Sequence, residues 1–198
     1  MFPFLIGAQC VNVPGMGFAR KSNKTYDAAM LYEYAVGALA RQMRTVAELK
    51  RLLRRRVSRQ ENGEVLIEAV VLKLKEQRYL NDTNYAAAYS GFRRENEKFG
   101  RLRVATDLRA KGVHQDVIEK TVGAAYQGVD EEKLARDFLA RKRVKKPTSQ
   151  KEATRAFRML MRAGFTSRTI FRILKKWDVD DELLTAMESE PVPENETE

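Results

Sequence analysis

The chain has 198 residues, of which 43% are apolar, and a formal net charge of +10 at pH 7. That apolar content excludes disorder throughout, and the length suits one domain or several modules of about fifty residues that bury a core when stacked. A lone Cys10 excludes a disulfide framework and a thiolate metal site and fits a reducing cytoplasm, and no run approaches the roughly twenty apolar residues that cross a bilayer.

Residues 1–24 are apolar and rich in Gly and Pro but lack a basic start and a long apolar run, so they read as a disordered extension rather than a signal peptide, with Met16 or Met30 as alternative initiators. Helical periodicity starts at residues 26–42. Thr45, with Glu48 three residues on, forms a capping box for a second helix whose inner face is Val46, Leu49 and Leu53. A third helix, residues 64–78, buries Leu66, Ile67, Val70, Val71 and Leu74; its β-branched stretch 65–72 is the most strand-like in the chain. These helices make a first unit, 25–81. The second unit, 82–129, opens on Asp82 as N-cap and carries Tyr85, Tyr89 and Phe92 as a core stripe. Helices over 101–111 and 114–126 complete it. In the third unit, 130–187, Asp130 caps residues 131–143, Pro147-Thr148-Ser149 starts a helix bearing Ala153, Ala156, Phe157 and Leu160, and Ile170, Ile173, Leu174 and Trp177 line the last. Residues 188–198 read as an acidic disordered tail.

A unit recurs about every fifty residues: Leu53-Arg54-Arg55-Arg56-Val57, Leu108-Arg109-Ala110-Lys111-Gly112-Val113 and Leu160-Met161-Arg162-Ala163-Gly164-Phe165. Gly112 and Gly164 occupy the position past a helix end where a left-handed backbone favours glycine. The fold expected is all-α: three tandem three-helix repeats in an elongated, curved molecule whose surface suits an extended partner.

Catalytic groups are not in evidence. His114, the single histidine, sits in a helix-start turn with no nucleophile motif beside it, and Asp178, Asp180 and Asp181 lack the pattern of a calcium loop. No phosphate loop or dinucleotide fingerprint occurs. The chain therefore reads as a non-enzyme with no cofactor and no metal. What remains is positive charge on the second helix of each unit: Arg51, Arg54 and Arg55; Arg101, Arg103, Arg109 and Lys111; Lys151, Arg155, Arg158 and Arg162. Arginine suits bidentate contact with phosphate or carboxylate, so these rows are candidates for binding nucleic acid or an acidic protein. Residues 41–60 hold eight bases against Glu48 alone, whereas residues 178–198 hold nine acids and no base.

The stretch Tyr79-Leu80-Asn81-Asp82, Tyr85-Ala86, Arg93, Phe99-Gly100, Arg103, Leu108 and Lys111-Gly112-Val113 resembles the central signature of the RecX family of recombination regulators. Ala38-Leu39, Arg41, Thr45 and Glu48-Leu49 resemble it in the first unit, as do Arg162-Ala163-Gly164-Phe165 and Ile170 in the third. The likeness spans about residues 32–177. It implies a three-repeat helical protein that binds the RecA recombinase filament and modulates, generally by inhibition, its ATP hydrolysis, strand exchange and coprotease activity, with DNA as a further ligand; the chain itself reads as a cytoplasmic monomer. Asp82, Tyr85, Tyr89, Gly100, Gly112 and Gly164 are then structural. The sequence departs from the pattern at Arg55-Arg56, where a Lys-Gly is common, and at the insertion-like 58–63. The competing readings are a stand-alone DNA-binding protein of helix-turn-helix type and a scaffold for another acidic partner.

Overall fold

The computed structural model describes residues 25–179 and Ala186; expectations for residues 1–24 and for the acidic tail lie outside the described residues. Helix starts follow from side chains that accept orphan backbone amides. Asp27 accepts from Met30 N and opens α1 (Ala28–Arg41), and Thr45 and Glu48 form the reciprocal capping box that opens α2 (Val46–Val57). α3 (Gly63–Glu76) follows a tight turn. Asn81 accepts from Asn84 N and opens α4 (Asp82–Glu95); α5 (Arg101–Ala110) starts at Gly100 and α6 (Gln115–Tyr126) at His114. Asp130, Ser149 and Thr166 cap α7 (Glu131–Arg141), α8 (Gln150–Arg162) and α9 (Ser167–Lys175). The described residues are thus all-α, including the strand-like stretch 65–72, where Val65 and Leu72 point outward.

Each set of three helices has its own core, with the third helix lying across the other two. Leu31, Ala35, Leu49, Leu53, Ile67 and Leu74 fill the first; Tyr85, Ala86, Val104, Leu108, Val113 and Ile118 the second; Phe138, Phe157, Leu160, Phe165, Ile170 and Leu174 the third. Phe99 and Tyr126 pack against both the second and the third core, and the Tyr126 hydroxyl donates to the Phe99 carbonyl at 2.7 Å. Burial pushes the Tyr126 phenol up to about 12.

Two expectations are corrected, and the departure in the first unit takes a definite form. The N-cap of α4 is Asn81, and Asp82 is the first helical residue. Phe92 is 55% exposed rather than core, because the inward face of α4 runs through Ala86, fully buried Ser90 and half-buried Arg93, one position round the helix from the expected stripe. In the first unit α2 continues as helix through Arg55 and Arg56 to Val57, so no glycine turn ends it there.

The units are joined by one arrangement used twice. The carbonyl of a C-cap residue accepts a hydrogen bond from the residue that N-caps the second helix of the preceding unit. Lys111 O accepts from Thr45 Oγ1 at 2.7 Å, and Ala163 O accepts from Gly100 N at 2.8 Å, with Leu102 N donating to Gly164 O at 3.3 Å. The next residue is in both cases a left-handed glycine, Gly112 with φ +78° and Gly164 with φ +85°, as the repeat predicts. A second reason requires glycine. A Cβ on Gly112 would lie 2.4 Å from Ala47 Cβ, one on Gly164 2.1 Å from Arg103 N, and one on Gly100 2.2 Å from Gly164 O. The second helices therefore run head to tail, α8 into α5 and α5 into α2, each carbonyl end meeting an amide end.

Replacing Gly100 by Ala strains no φ angle but forces the second joint apart, and should lower unfolding free energy by about 1–3 kcal/mol in urea titration. Gly164→Ala adds left-handed strain and should cost at least as much. Gly91→Ala and Gly123→Ala, at helical positions where nothing lies within 4 Å of the new methyl, should instead stabilise by up to about 1 kcal/mol.

Candidate partner-binding face

The second helices present one inner stripe to their cores and leave the positions between exposed, which places Arg51, Arg54, Arg55, Arg101, Arg103, Arg109, Lys151, Arg155 and Arg162 on the surface and Lys111 and Arg158 half-buried. The electrostatics sort them. Lys111 Nζ contacts Glu48 Oε1 at 2.9 Å and lies over the Tyr85 and Tyr89 rings, so it ties the first joint rather than facing outward; its hydrogen bond to Glu48 raises its pKa. Arg103 Nε contacts Asp107 Oδ1 at 3.0 Å, and the other oxygen of Asp107 accepts from Tyr89 Oη and Arg93, each at 3.0 Å. Arg54 is paired with Glu64 on α3 at 2.8 Å, and this hydrogen bond holds the Glu64 carboxyl below its ordinary range.

Arg51 reaches across the first joint to Ala110 O at 3.4 Å, Arg55 Nε lies 3.5 Å from Arg51 O, and Arg109 donates to Gln115. Among the described residues, Arg51, Arg55, Arg101, Arg109, Arg155 and Arg162 make no ion pair with the chain's own acids. Such groups can give a full charge to a partner. Arg155 also belongs to a basic concavity with Lys142, Arg143, Lys145 and Lys146, which the reading of second-helix rows passed over. The signal was present in sequence as a run of bases, but its meeting with Arg155 requires the packed α7 and α8. No group of His, Cys, Asp and Glu among the described residues could hold a metal, and none of their helices is long and apolar enough to cross a membrane.

The family description "RecX, second three-helix domain" matches residues 81–122. The regulatory protein RecX of Myxococcus xanthus (strain DK1622) is 35% identical over 170 residues, covering 79% of this chain and 86% of that protein. The chain belongs to the RecX family. The regulatory proteins RecX of Bacillus velezensis and Bacillus cereus (strain B4264) are 27% and 32% identical, and the chain spans 61% and 56% of their lengths. A crystal structure of RecX from Lactobacillus salivarius superposes with a TM-score of 0.59 at 21% identity, covering 76% of this chain and 96% of that one. A second crystal structure, of regulatory protein RecX, gives 0.61 at 20% identity with 75% and 71% covered. These two share the fold.

Residues carrying the RecX signature have physical roles in cores, caps and joints. Leu80 is core, Asn81 caps α4, and the Asp82 carboxylate accepts from Val46 N at 2.8 Å, satisfying an orphan amide at the start of α2. Tyr85 and Ala86 are core, Arg93 and Arg103 flank Asp107, Phe99 bridges two cores, and Gly100, Lys111 and Gly112 make the joints.

Asp82 generates a pH prediction. Burial raises its pKa, and the Val46 amide offsets this only in part. An acid with a raised folded pKa stabilises most below its unfolded value of about 3.9 and loses that contribution as pH rises through the folded value. Asp82→Asn keeps the acceptor without the charge, so urea titration should show it at least as stable as the parent at pH 7, with its relative advantage shrinking toward pH 4. Asp82→Ala removes the acceptor and should cost about 1 kcal/mol.

Proposed function

We propose that this RecX-family chain binds the RecA recombinase filament and modulates it toward inhibition of ATP hydrolysis, strand exchange and coprotease activity. The observation that carries the reading is the head-to-tail row of second helices, which sets the unpaired guanidiniums of Arg51, Arg55, Arg101, Arg109, Arg155 and Arg162 at intervals along a stack of three units, taken as 25–81, 82–129 and 130–187. A repeating partner offers acidic groups or DNA phosphates at intervals, and a modular binder meets several at once. In this reading the chain is a cytoplasmic monomer that acts by occupying a surface, without catalysis or cofactor. Arg54, Arg103 and Lys111 contribute less to binding, since their charges are already engaged by Glu64, Asp107 and Glu48. Arg158 extends the third-unit row, from half-buried positions on α8.

The test is DNA-dependent ATP hydrolysis by the cognate recombinase, with and without the chain. Suppression at well below one chain per protomer supports the reading; no effect together with tight, sequence-specific duplex binding supports a helix-turn-helix protein acting alone. Reversal of charge at Arg51 and Arg55 should leave folding within about 1 kcal/mol, since both are exposed. If they contact phosphates, the slope of log affinity against log salt should fall by about two units on both DNA and filaments. If they contact recombinase carboxylates, filament binding alone should weaken. Unchanged affinity for both would remove these residues from the binding face.

A further inference from the structure

The connection between α7 and α8 lies over the start of α8 and forms a cavity of about 270 Å³, lined by Lys142, Arg143, Lys145, Lys146, Arg155 and Glu152 among others. Five cations thus face one carboxylate. That carboxylate is occupied locally: Glu152 Oε2 accepts from Thr148 N at 2.8 Å and from Thr148 Oγ1 at 3.0 Å. Among the described residues Lys142, Arg143, Lys145 and Arg155 make no ion pair. Lys146 makes one, with Asp178 at 2.6 Å. Both partners are exposed, so the pair adds little stability. Its value is positional.

Asp178 is held at that spot by the turn that ends α9. It adopts φ 58°, Val179 N bonds back to Leu174 O at 3.2 Å, and Trp177 and Val179 pack against the third core. The chain therefore leaves α9 at the edge of the basic cavity. The sequence that follows begins Asp180-Asp181-Glu182 and continues with Glu188, Glu190, Glu194, Glu196 and Glu198, with no base.

We propose that the α7–α8 cavity is a binding site for a carboxylate-rich peptide and that its occupant is the chain's own acidic C-terminal tail, residues 188–198. Charge complementarity selects an acidic ligand, and tethering beside the cavity gives this one an effective concentration in the millimolar range. Asp178 on Lys146 is the first contact, and the acids of the tail reach Arg143, Lys145 and Arg155. The occupied cavity is closed to outside polyanions until salt or a stronger anion displaces the segment, an intramolecular competition that does not depend on the identity of the chain's partner.

The test uses the full chain with Cys10→Ser and Ser189→Cys, a nitroxide spin label on the new thiol, and amide NMR. At about 0.02 M salt, peaks of residues 142–146 and 155 should lose intensity well beyond the loss at about 0.5 M, where screening is short-ranged. The loss should also revert in a variant carrying Lys142→Glu, Lys145→Glu and Arg155→Glu, all at exposed positions; unchanged peaks elsewhere verify its fold. An equal loss at both salts or in the charge-reversed variant reflects tethering alone and overturns the proposal. So does a salt-dependent loss of the same size at Arg51 and Arg55, which reports diffuse attraction to any basic face.

Discussion

The structure depends on how a helix end is received by the start of another. A C-terminal carbonyl that cannot be satisfied within its own helix must find a donor, and here the donor comes from the neighbouring unit: the Thr45 hydroxyl on Lys111 O and the Gly100 amide on Ala163 O. Because the approach is close, against backbone at Gly164 and against the Ala47 methyl at Gly112, the residue after each C-cap must be left-handed and must also lack a side chain. Both requirements fall on one atom, the missing Cβ of Gly112 and of Gly164. The cores then need only be large enough to hold three short helices each, since alignment between units is set at the joints.

That division of labour explains what the signature of the family reports. Residues 79–113 are dense in caps, glycines and joint contacts, whereas the guanidiniums that remain available to a partner, such as Arg55, Arg155 and Arg162, lie largely outside that stretch. The signature thus identifies a scaffold that presents units in register. In the proposed reading, binding specificity belongs to the exposed side chains hung on it. Inside the stretch, Arg93 and Arg103 converge on Asp107 and Lys111 on Glu48, which leaves Arg101 and Arg109 as its exposed arginines without an ion pair among the described residues.

Most of the helical plan was legible in sequence because capping is local. Thr45 with Glu48, and Asp130 with the amides of Glu132 and Lys133, act within four residues, so their spacing suffices. The error at Asn81 and Asp82 has the same origin: both types cap, they are adjacent, and which one leaves helical geometry is decided by the distant Val46 amide that draws the Asp82 carboxylate away. Phe92 was misplaced because periodicity gives the spacing of a stripe but not which of two adjacent stripes faces the core. Gly112 and Gly164 could be assigned to helix ends, yet their contacts with Ala47 and Arg103 involve residues some sixty positions away and left no local mark. The Arg54–Glu64 pair joins two helices and left none either, whereas Arg103 and Asp107 are an i,i+4 pair on α5 whose spacing does show in the sequence.

The departure of the first unit from the repeat has a further meaning. At the leading end of the row, α8 is sealed by its own Ser149 cap and by Glu152, which takes the Thr148 amide. At the far end, α2 runs on through Arg55 and Arg56 to Val57 and is followed by Ser58 in right-handed geometry, so it lacks the bare, left-handed landing platform that Gly112 and Gly164 provide. A stack built from interchangeable joints has no intrinsic length, so whatever ends it must lie in residues that depart from the joint. Among the described residues those departures stand at both ends of the row: Glu152 holds the Thr148 amide ahead of α8, and Val57 and Ser58 stand where a left-handed glycine follows the other two second helices.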